Sequence, residues 1–599
     1  MQTKTRSEMD PKYTWDLTPV FESDAAWRAA LEAAEASVAG LSDIPGTLGV
    51  SAAALKAGLD RVYAVSEAAE RVYAYAMLKK SEDGGDPARQ EMEARALSML
   101  VALQTATAFV NPEILAIPAD ALEDFMKDDG LAVYRHIVDD VARGRAHILD
   151  AQGERMLAML GDAGQTPSNA FEMLTEVDMR FPPVHDESGA EVPLTHGSFG
   201  VYRVSRSQAV RREAFETYFG EYRRFINTLA ATYAGSVKLD CFNADVRGYE
   251  SACAAALFGD NVPVELYDTL VEAVHGALGS MREYIELRKS RLGIDTLNLY
   301  DLYVPIVEDV EIDMPFEEAK RVVKAALRPL GEAYQALLDR AFEEKWIDVY
   351  ENQGKHTGAF AMGVYGAHPY VLLNYTGKLD DAFTLAHELG HAMHSYFSDH
   401  AQPYASHDYS IFVAEVASTV NEVLLTRYLL SVETDPARRA MLLNHFLEGF
   451  RTTVFRQTLF AEFERRAHAL YQSGTPLTAE ALSGVYHELN ALYYAGCEIN
   501  DFCDVEWARI PHFYTAFYVY QYATGFSSAV AIADGILKSG DASAYLRFLT
   551  TGGSDYPIEE LKLAGVDLTR PDAVADALKV FGETLKAFEE TVRGLGDGN

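Results

Sequence analysis

Cysteine is nearly absent from this 599-residue chain. Four occur, Cys241, Cys253, Cys497 and Cys503, too few and too irregularly spaced for a disulfide framework or a cysteine-based zinc site. They read as reduced, buried thiols. Long hydrophobic runs are missing too: no segment approaches the roughly 18 consecutive apolar residues of a membrane span, so a membrane protein is not expected. The N-terminus, Met1-Gln-Thr-Lys-Thr-Arg-Ser-Glu-Met-Asp, is followed by no apolar h-region, which argues against a secretory signal and for a cytoplasmic location. Positive charge is scarce, with 52 Lys and Arg against 89 Asp and Glu and a net charge of −37. Such a chain repels phosphate backbones and anionic headgroups, which removes nucleic acid and membrane surfaces from the expected partners. No internal repeat and no low-complexity tract is present.

What is present is mostly helical periodicity. Trp27, Leu31, Ala34, Val38 and Leu41 recur at helical spacing, and residues 51–80 and 87–110 are rich in Ala, Leu, Glu and Arg. Ser81-Glu-Asp-Gly-Gly-Asp-Pro reads as the loop between two long helices, and Asn111-Pro112 as the end of the second. Short strands around a turn are expected near 178–204, a second strand pair at Gly358–Val364 and Tyr370–Tyr375, and helix almost everywhere from Ser207 onward. The expected fold class is mainly α, with a small β element near 178–204 and a short sheet near 358–375. A joint near residue 200 would divide it into an N-terminal helical domain (1–200) and a helical catalytic domain (201–599).

One short motif carries strong chemical meaning: His387-Glu388-Leu389-Gly390-His391, an H-E-x-x-H, which on a helix sets two imidazoles one turn apart on one face. Its surroundings are apolar on nearly all sides (Phe383, Leu385, Ala386, Leu389, Ala392, Met393, Phe397), with Asp380 and Asp381 suited to an N-cap. Against that background Thr384, His387, Glu388, His391 and His394 form one narrow polar stripe. Buried ionisable groups are costly unless paired or metal-bound. A second apolar helix, Ile411-Phe-Val-Ala-Glu-Val-Ala-Ser-Thr-Val-Asn-Glu-Val-Leu-Leu, carries Glu415 and Glu422. Enough chain separates it from His391 for the two helices to pack side by side.

These residues point to a catalytic zinc, one per chain, held by His387, His391 and Glu415, with Glu422 as an acceptor behind a ligand imidazole. Two imidazoles and a carboxylate leave a coordination position for a water of lowered pKa. Glu388, beside a ligand but not one itself, is placed to take the water's proton and pass it to the leaving amine. His394 reads equally as an outer hydrogen-bonding group or as a structural histidine.

A peptidase also needs donors for the oxyanion. Arg509-Ile-Pro-His-Phe-Tyr-Thr-Ala-Phe-Tyr-Val-Tyr-Gln-Tyr supplies His512 and a stripe of Tyr514, Tyr518 and Tyr522, a pattern that packing alone would also explain. The edge beginning Gly358-Ala359-Phe360 is a candidate for backbone pairing with a peptide.

These segments together resemble the oligoendopeptidase F family, a branch of the thimet-oligopeptidase-like zinc peptidases. The resemblance runs from Tyr13-Thr-Trp-Asp-Leu-Thr-Pro-Val-Phe through Tyr249-Glu-Ser-Ala, Leu302-Tyr-Val-Pro and Gly354-Lys-His-Thr-Gly-Ala-Phe to the H-E-x-x-H. It continues through Phe412-Val-Ala-Glu-Val-Ala-Ser-Thr-Val-Asn-Glu and Pro511-His-Phe-Tyr to Gly552-Gly-Ser-Asp-Tyr-Pro, covering nearly the whole chain. It implies a helical ellipsoid closing around a deep cleft that admits short oligopeptides and excludes folded proteins. It also implies that His512, Tyr522 and either Tyr518 or Tyr514 donate to the oxyanion and grip substrate. Many relatives read Lys-Arg-Ser-Gly-Ala-Tyr where this chain has Lys-His-Thr-Gly-Ala-Phe, a change that bears on side-chain preference. The function so implied is a zinc metalloendopeptidase of short oligopeptides. A dipeptidyl carboxypeptidase or carboxypeptidase on the same scaffold is the alternative within the class, and a non-catalytic helical peptide-binding protein is the one outside it.

Overall fold

A computed structural model describes residues 3–307 and 310–595. The chain is mainly α-helical with only short strands, in line with the expected class. Compactness groups it into two units, each assembled from three separate stretches: residues up to 146 with 311–428 and 532–566, and residues 147–310 with 429–531 and 567 onward. This grouping does not follow the sequence order that a single joint near residue 200 assumes. Compactness is a property of packing, and each unit is completed by chain that lies hundreds of residues away.

In the first unit, helices Asp24–Ala39, Ala52–Glu82 and Pro87–Thr107 pack on one another. Ser23 and Ser51 cap the first two, accepting from the backbone N–H of Ala26 and Ala54, and Asp86 with Pro87 starts the third. Trp27, Leu31, Ala34 and Val38 are buried, as their spacing predicts. The break after the third helix comes earlier than Asn111-Pro112. Pro112 lies instead in the first turn of a further helix, Val110–Ala116, where its missing N–H would have had no intrahelical partner anyway. By length and composition the stretch Pro87–Ala116 is long and apolar enough to cross a membrane, which a count of consecutive apolar residues does not reveal. Its Met92, Ala96, Met99 and Leu103 nonetheless lie in this unit's hydrophobic core.

The same unit holds a three-stranded sheet in the order Ile347–Asp348, Tyr370–Leu372, Phe360–Met362. The last two strands are antiparallel, with Ala361 opposite Val371, and the first, unanticipated from sequence, pairs in parallel with Tyr370–Leu372. Both strands of the expected pair are shorter than the segments that signalled them. Phe360–Met362 is an edge strand and packs against helix Leu379–Ala401. Lys355, its side chain fully buried, pairs with Asp348 at 2.7 Å and donates to the carbonyls of Tyr350 and Leu373, tying the loop before the edge strand to the sheet.

In the second unit a two-stranded antiparallel hairpin, Val184–His185 with Glu191–Val192, packs on helix Gln208–Arg224, whose N-cap is Ser207. Helices Ile226–Val246, Arg456–Gln472 and Ala479–Tyr493 pack together. All four cysteines are free; Cys241, Cys253 and Cys503 are buried, and Cys497 is only partly so.

Candidate active site

The H-E-x-x-H motif lies in helix Leu379–Ala401. Asp380 and Asp381 occupy its first turn rather than its N-cap, and Asp381 reaches back to accept from the N–H groups of Thr376, Gly377 and Lys378. Glu415 and Glu422 lie on helix Ile411–Val432. The two helices approach very closely at Gly390, where a Cβ would come 2.5 Å from Ser418 Cα and 2.6 Å from the Ala417 carbonyl oxygen. Only glycine allows this crossing. Asn421 rivets it, donating to the Ala386 carbonyl (3.0 Å) while accepting from the Tyr334 hydroxyl (3.1 Å).

That crossing brings His387, His391 and Glu415 together. The two Nε2 atoms are 3.1 Å apart, and Glu415 Oε2 is 3.4 Å from that of His387 and 3.5 Å from that of His391. Donors about 2.0–2.1 Å from a tetrahedral ion are separated by about 3.4 Å, so the triad has the spacing such an ion requires. Its chemistry fits as well. His387 Nδ1–H donates to Glu422 at 2.6 Å, which leaves the Nε2 lone pair available to a metal ion. Ser418 Oγ donates to Glu415 Oε2 (3.0 Å) and steadies it.

The electrostatics of the polypeptide alone reflect this clustering. The hydrogen bond from His391 holds the Glu415 carboxyl down to about 2, against the opposing effect of burial. Burial pushes the His387 imidazole down, but Glu422 more than offsets it, and the pKa ends above its ordinary value. Glu388 is 7% exposed; burial pushes its carboxyl above the usual range despite the two neighbouring histidines. Glu415 keeps about half of its side chain exposed, so the triad is open to solvent on the Glu415 side.

His394 is 1% exposed and stacks on Tyr409, with ring centroids 3.7 Å apart. Neither ring nitrogen has a hydrogen-bond partner, and burial pushes its pKa down to about 3. It is a neutral packing group and touches none of the three donors through a hydrogen bond. Gly358 and Ala359 line a cleft of about 270 Å³ with Leu373, Asn374, Tyr375, Asp381 and Thr384, and Phe360 opens the edge strand. Asn374 holds this rim by donating to the carbonyls of His356 and Gly358.

In the second unit the tyrosines separate into two groups. Tyr522 hydroxyl and His512 Nε2 are 3.4 Å apart, and Tyr518 lies against both rings. Tyr514 faces elsewhere, its hydroxyl on Thr232 (2.8 Å) and its ring stacked on Phe171. The divergence begins at Phe517, a non-glycine residue at φ +57, an unfavourable conformation for a bulky side chain. Its N–H donates to Glu464, which is fully buried. Nothing in the local pattern marks Glu464, because its partner lies 53 residues away. Ser418 and Asn421 are visible in the sequence as polar positions on an otherwise apolar helix, and Gly390 as the glycine within H-E-L-G-H, but the contacts they make, and those of Asn374, are not.

Comparison with known proteins places these features in context. A sequence profile described as Peptidase family M3 matches residues 201–580, and one described as Oligopeptidase F matches residues 113–181. Oligopeptidase PepF of Bacillus subtilis is 42% identical over 593 residues, covering 98% of this chain and 88% of its own. The plasmid-borne oligoendopeptidase F of Lactococcus lactis subsp. cremoris is 38% identical over 98% of this chain and 99% of its own. Among solved structures, a putative peptidase from Chlamydophila abortus superposes with a TM-score of 0.94 at 31% identity, covering 98% of this chain and all of its own. Oligoendopeptidase-F from Enterococcus faecium gives a TM-score of 0.73 at 37% identity, over 95% of this chain and 99% of its own.

Proposed function

Since this chain belongs to peptidase family M3, in its oligoendopeptidase F branch, and is a peptidase, we propose that it is a zinc metalloendopeptidase cutting internal bonds of short oligopeptides. The observation that carries this reading is the convergence of His387 Nε2, His391 Nε2 and Glu415 within 4.8 Å of one another, with Glu388 buried in the same helix turn. Zinc, when bound, supplies Lewis acidity that polarises the scissile carbonyl and acidifies water. Glu388 takes the proton of the attacking water and delivers it to the leaving amine nitrogen. Its place next to His387 in the same helix turn, buried and not itself one of the three donors, suits it to that proton transfer. Glu422 fixes the tautomer of His387, and Ser418 steadies Glu415.

For substrate, the edge at Gly358, Ala359 and Phe360 offers backbone groups to an extended peptide, a mode that gives affinity with little sequence preference. His512, Tyr518 and Tyr522 take the oxyanion-donating and substrate-gripping roles that the family resemblance implies; Tyr514 is left out because its hydroxyl is already engaged by Thr232.

The test combines metal analysis with product mapping. The purified protein should carry about one zinc per chain and cleave an end-blocked oligopeptide at an internal bond. Glu388→Ala should keep the metal and lose at least about 10²-fold in turnover. Full activity in that variant would sink the mechanism, and cleavage confined to peptides with a free C-terminus would replace the endopeptidase reading with a carboxypeptidase.

A further inference from the structure

Glu464 is a buried acid with a single partner. It lies on helix Arg456–Gln472, fully buried, and burial pushes its pKa well above the ordinary range. Oε1 accepts from the Phe517 N–H at 2.6 Å, while Oε2 has no hydrogen-bond partner among the described residues. Burying a carboxyl, even an uncharged one, is costly unless a hydrogen bond compensates. Here that bond is the one to Phe517.

The Phe517 ring is held as well. His468, one turn beyond Glu464, and Tyr267 lie against it with ring centroids 4.6 and 5.8 Å away, and Phe517 is 2% exposed. Its φ of +57 is one that a bulky side chain keeps only where the surroundings enforce it. The start of the same loop is fixed too. Phe513 packs on Phe460 and Phe463 of the Glu464 helix, and Tyr514 on Phe171 and Thr232. With the loop anchored at both ends, the backbone direction at Phe517 decides where Tyr518 sets out, and with it helix Tyr520–Ser539, which carries Tyr522.

We propose that Glu464 is a positioning residue for turnover, which through the Phe517 N–H holds the backbone turn that keeps Tyr518 and Tyr522 beside His512. This rests on the reading that those three side chains act on the substrate, and it names the group that sets their geometry. The Tyr522 hydroxyl stands 3.4 Å from His512 Nε2, and the Tyr518 ring 5.5 Å from that of Tyr522. Rotation about φ of Phe517 turns the chain beyond it, so these separations depend on that angle. A displacement of about 1 Å in groups that position a substrate can lower the rate about 10²-fold.

The test is steady-state kinetics on an end-blocked peptide, with folding stability and metal content followed alongside. Glu464→Gln keeps the acceptor oxygen and should keep wild-type kcat and KM. Glu464→Leu removes it and should lower kcat/KM about 10²-fold, with metal content unchanged and with a rise in KM, which a smaller folded fraction would not produce. Should that variant fail to fold, phenyllactate in place of Phe517, which exchanges only the N–H for an ester oxygen, should give the same loss. Tyr267→Phe is the stability control, since it loses the bond to the Ala461 carbonyl (2.7 Å) but keeps its ring on Phe517; it should be less stable, with kcat/KM unchanged. Tyr522→Phe probes the underlying reading and should lose activity. Wild-type kinetics in Glu464→Leu or the ester variant, beside an impaired Tyr522→Phe, would overturn the role of Glu464 alone. Wild-type kinetics in both Tyr518→Phe and Tyr522→Phe would overturn the reading of the tyrosines and this proposal with it. Equal losses in Glu464→Gln and Glu464→Leu would also overturn it, because the acceptor would then not be what matters.

Discussion

Glu422 accepts its hydrogen bond from His387 at 2.6 Å, and this contact is what sets the imidazole's tautomer. Glu422→Gln should weaken zinc binding about 10–100-fold in a chelator competition, while far-ultraviolet circular dichroism stays unchanged. Glu464 behaves differently, because burial pushes its carboxyl well above the ordinary range and it serves Phe517 as a neutral acceptor. Glu464→Gln keeps an acceptor oxygen and should be tolerated, whereas Glu464→Leu strands the Phe517 N–H and should cost about 1–3 kcal/mol in denaturant unfolding. Glu560, 1% exposed, is pushed up to about 8 by burial. Between the ordinary carboxyl value and about 8 the folded chain holds a proton that the unfolded chain has released. Stability from this group is therefore complete at low pH and declines as pH rises through that window. Glu560→Gln should stabilise the protein near pH 8 by on the order of a few kcal/mol, with the difference closing near pH 4. An advantage that grew on acidification would refute the assignment.

Among the elements, the crossing at Gly390 is the most constrained, since backbone atoms of Ala417 and Ser418 fill the space that a methyl group would need. Gly390→Ala should push the two helices apart, cost about 1–3 kcal/mol, and reduce zinc binding because Glu415 moves with its helix. Normal metal affinity in that variant would show that the crossing is not what places Glu415. At this scale the sequence was most readable where one element carries the whole signal. The burial of Trp27, Leu31, Ala34 and Val38 follows from period alone, as does the pairing of His387 with His391 one turn on. Local pattern is silent where the deciding partner lies outside the element. Pro112 marked a helix start rather than an end, and strand Ile347–Asp348 is too short to announce itself without Tyr370–Leu372 beside it.

Over the whole molecule, a net charge of −37 means that folding gathers like charges, so Tm should rise with ionic strength in any salt; calorimetry at constant pH would check it. Zinc removal by a chelator should lower Tm, and added zinc should restore it, because a ligand bound only by the folded chain adds to stability. The sequence by itself determined the helical class, the H-E-x-x-H face, the presence of a second polar helix and the resemblance that covers nearly the whole chain. Each of these depends on residues within one element or on the order of motifs, which local periodicity and spacing encode. Tertiary structure alone decided how closely Glu415, already expected as the third donor, approaches the two histidines, that Tyr518 and Tyr522 rather than Tyr514 stand with His512, that Glu464 holds Phe517, and that Arg456 meets Glu506. The physical reason is common to all four. Contacts between elements are set by how loops and packed faces bring distant chain together, and no periodicity within a segment records where another segment will lie.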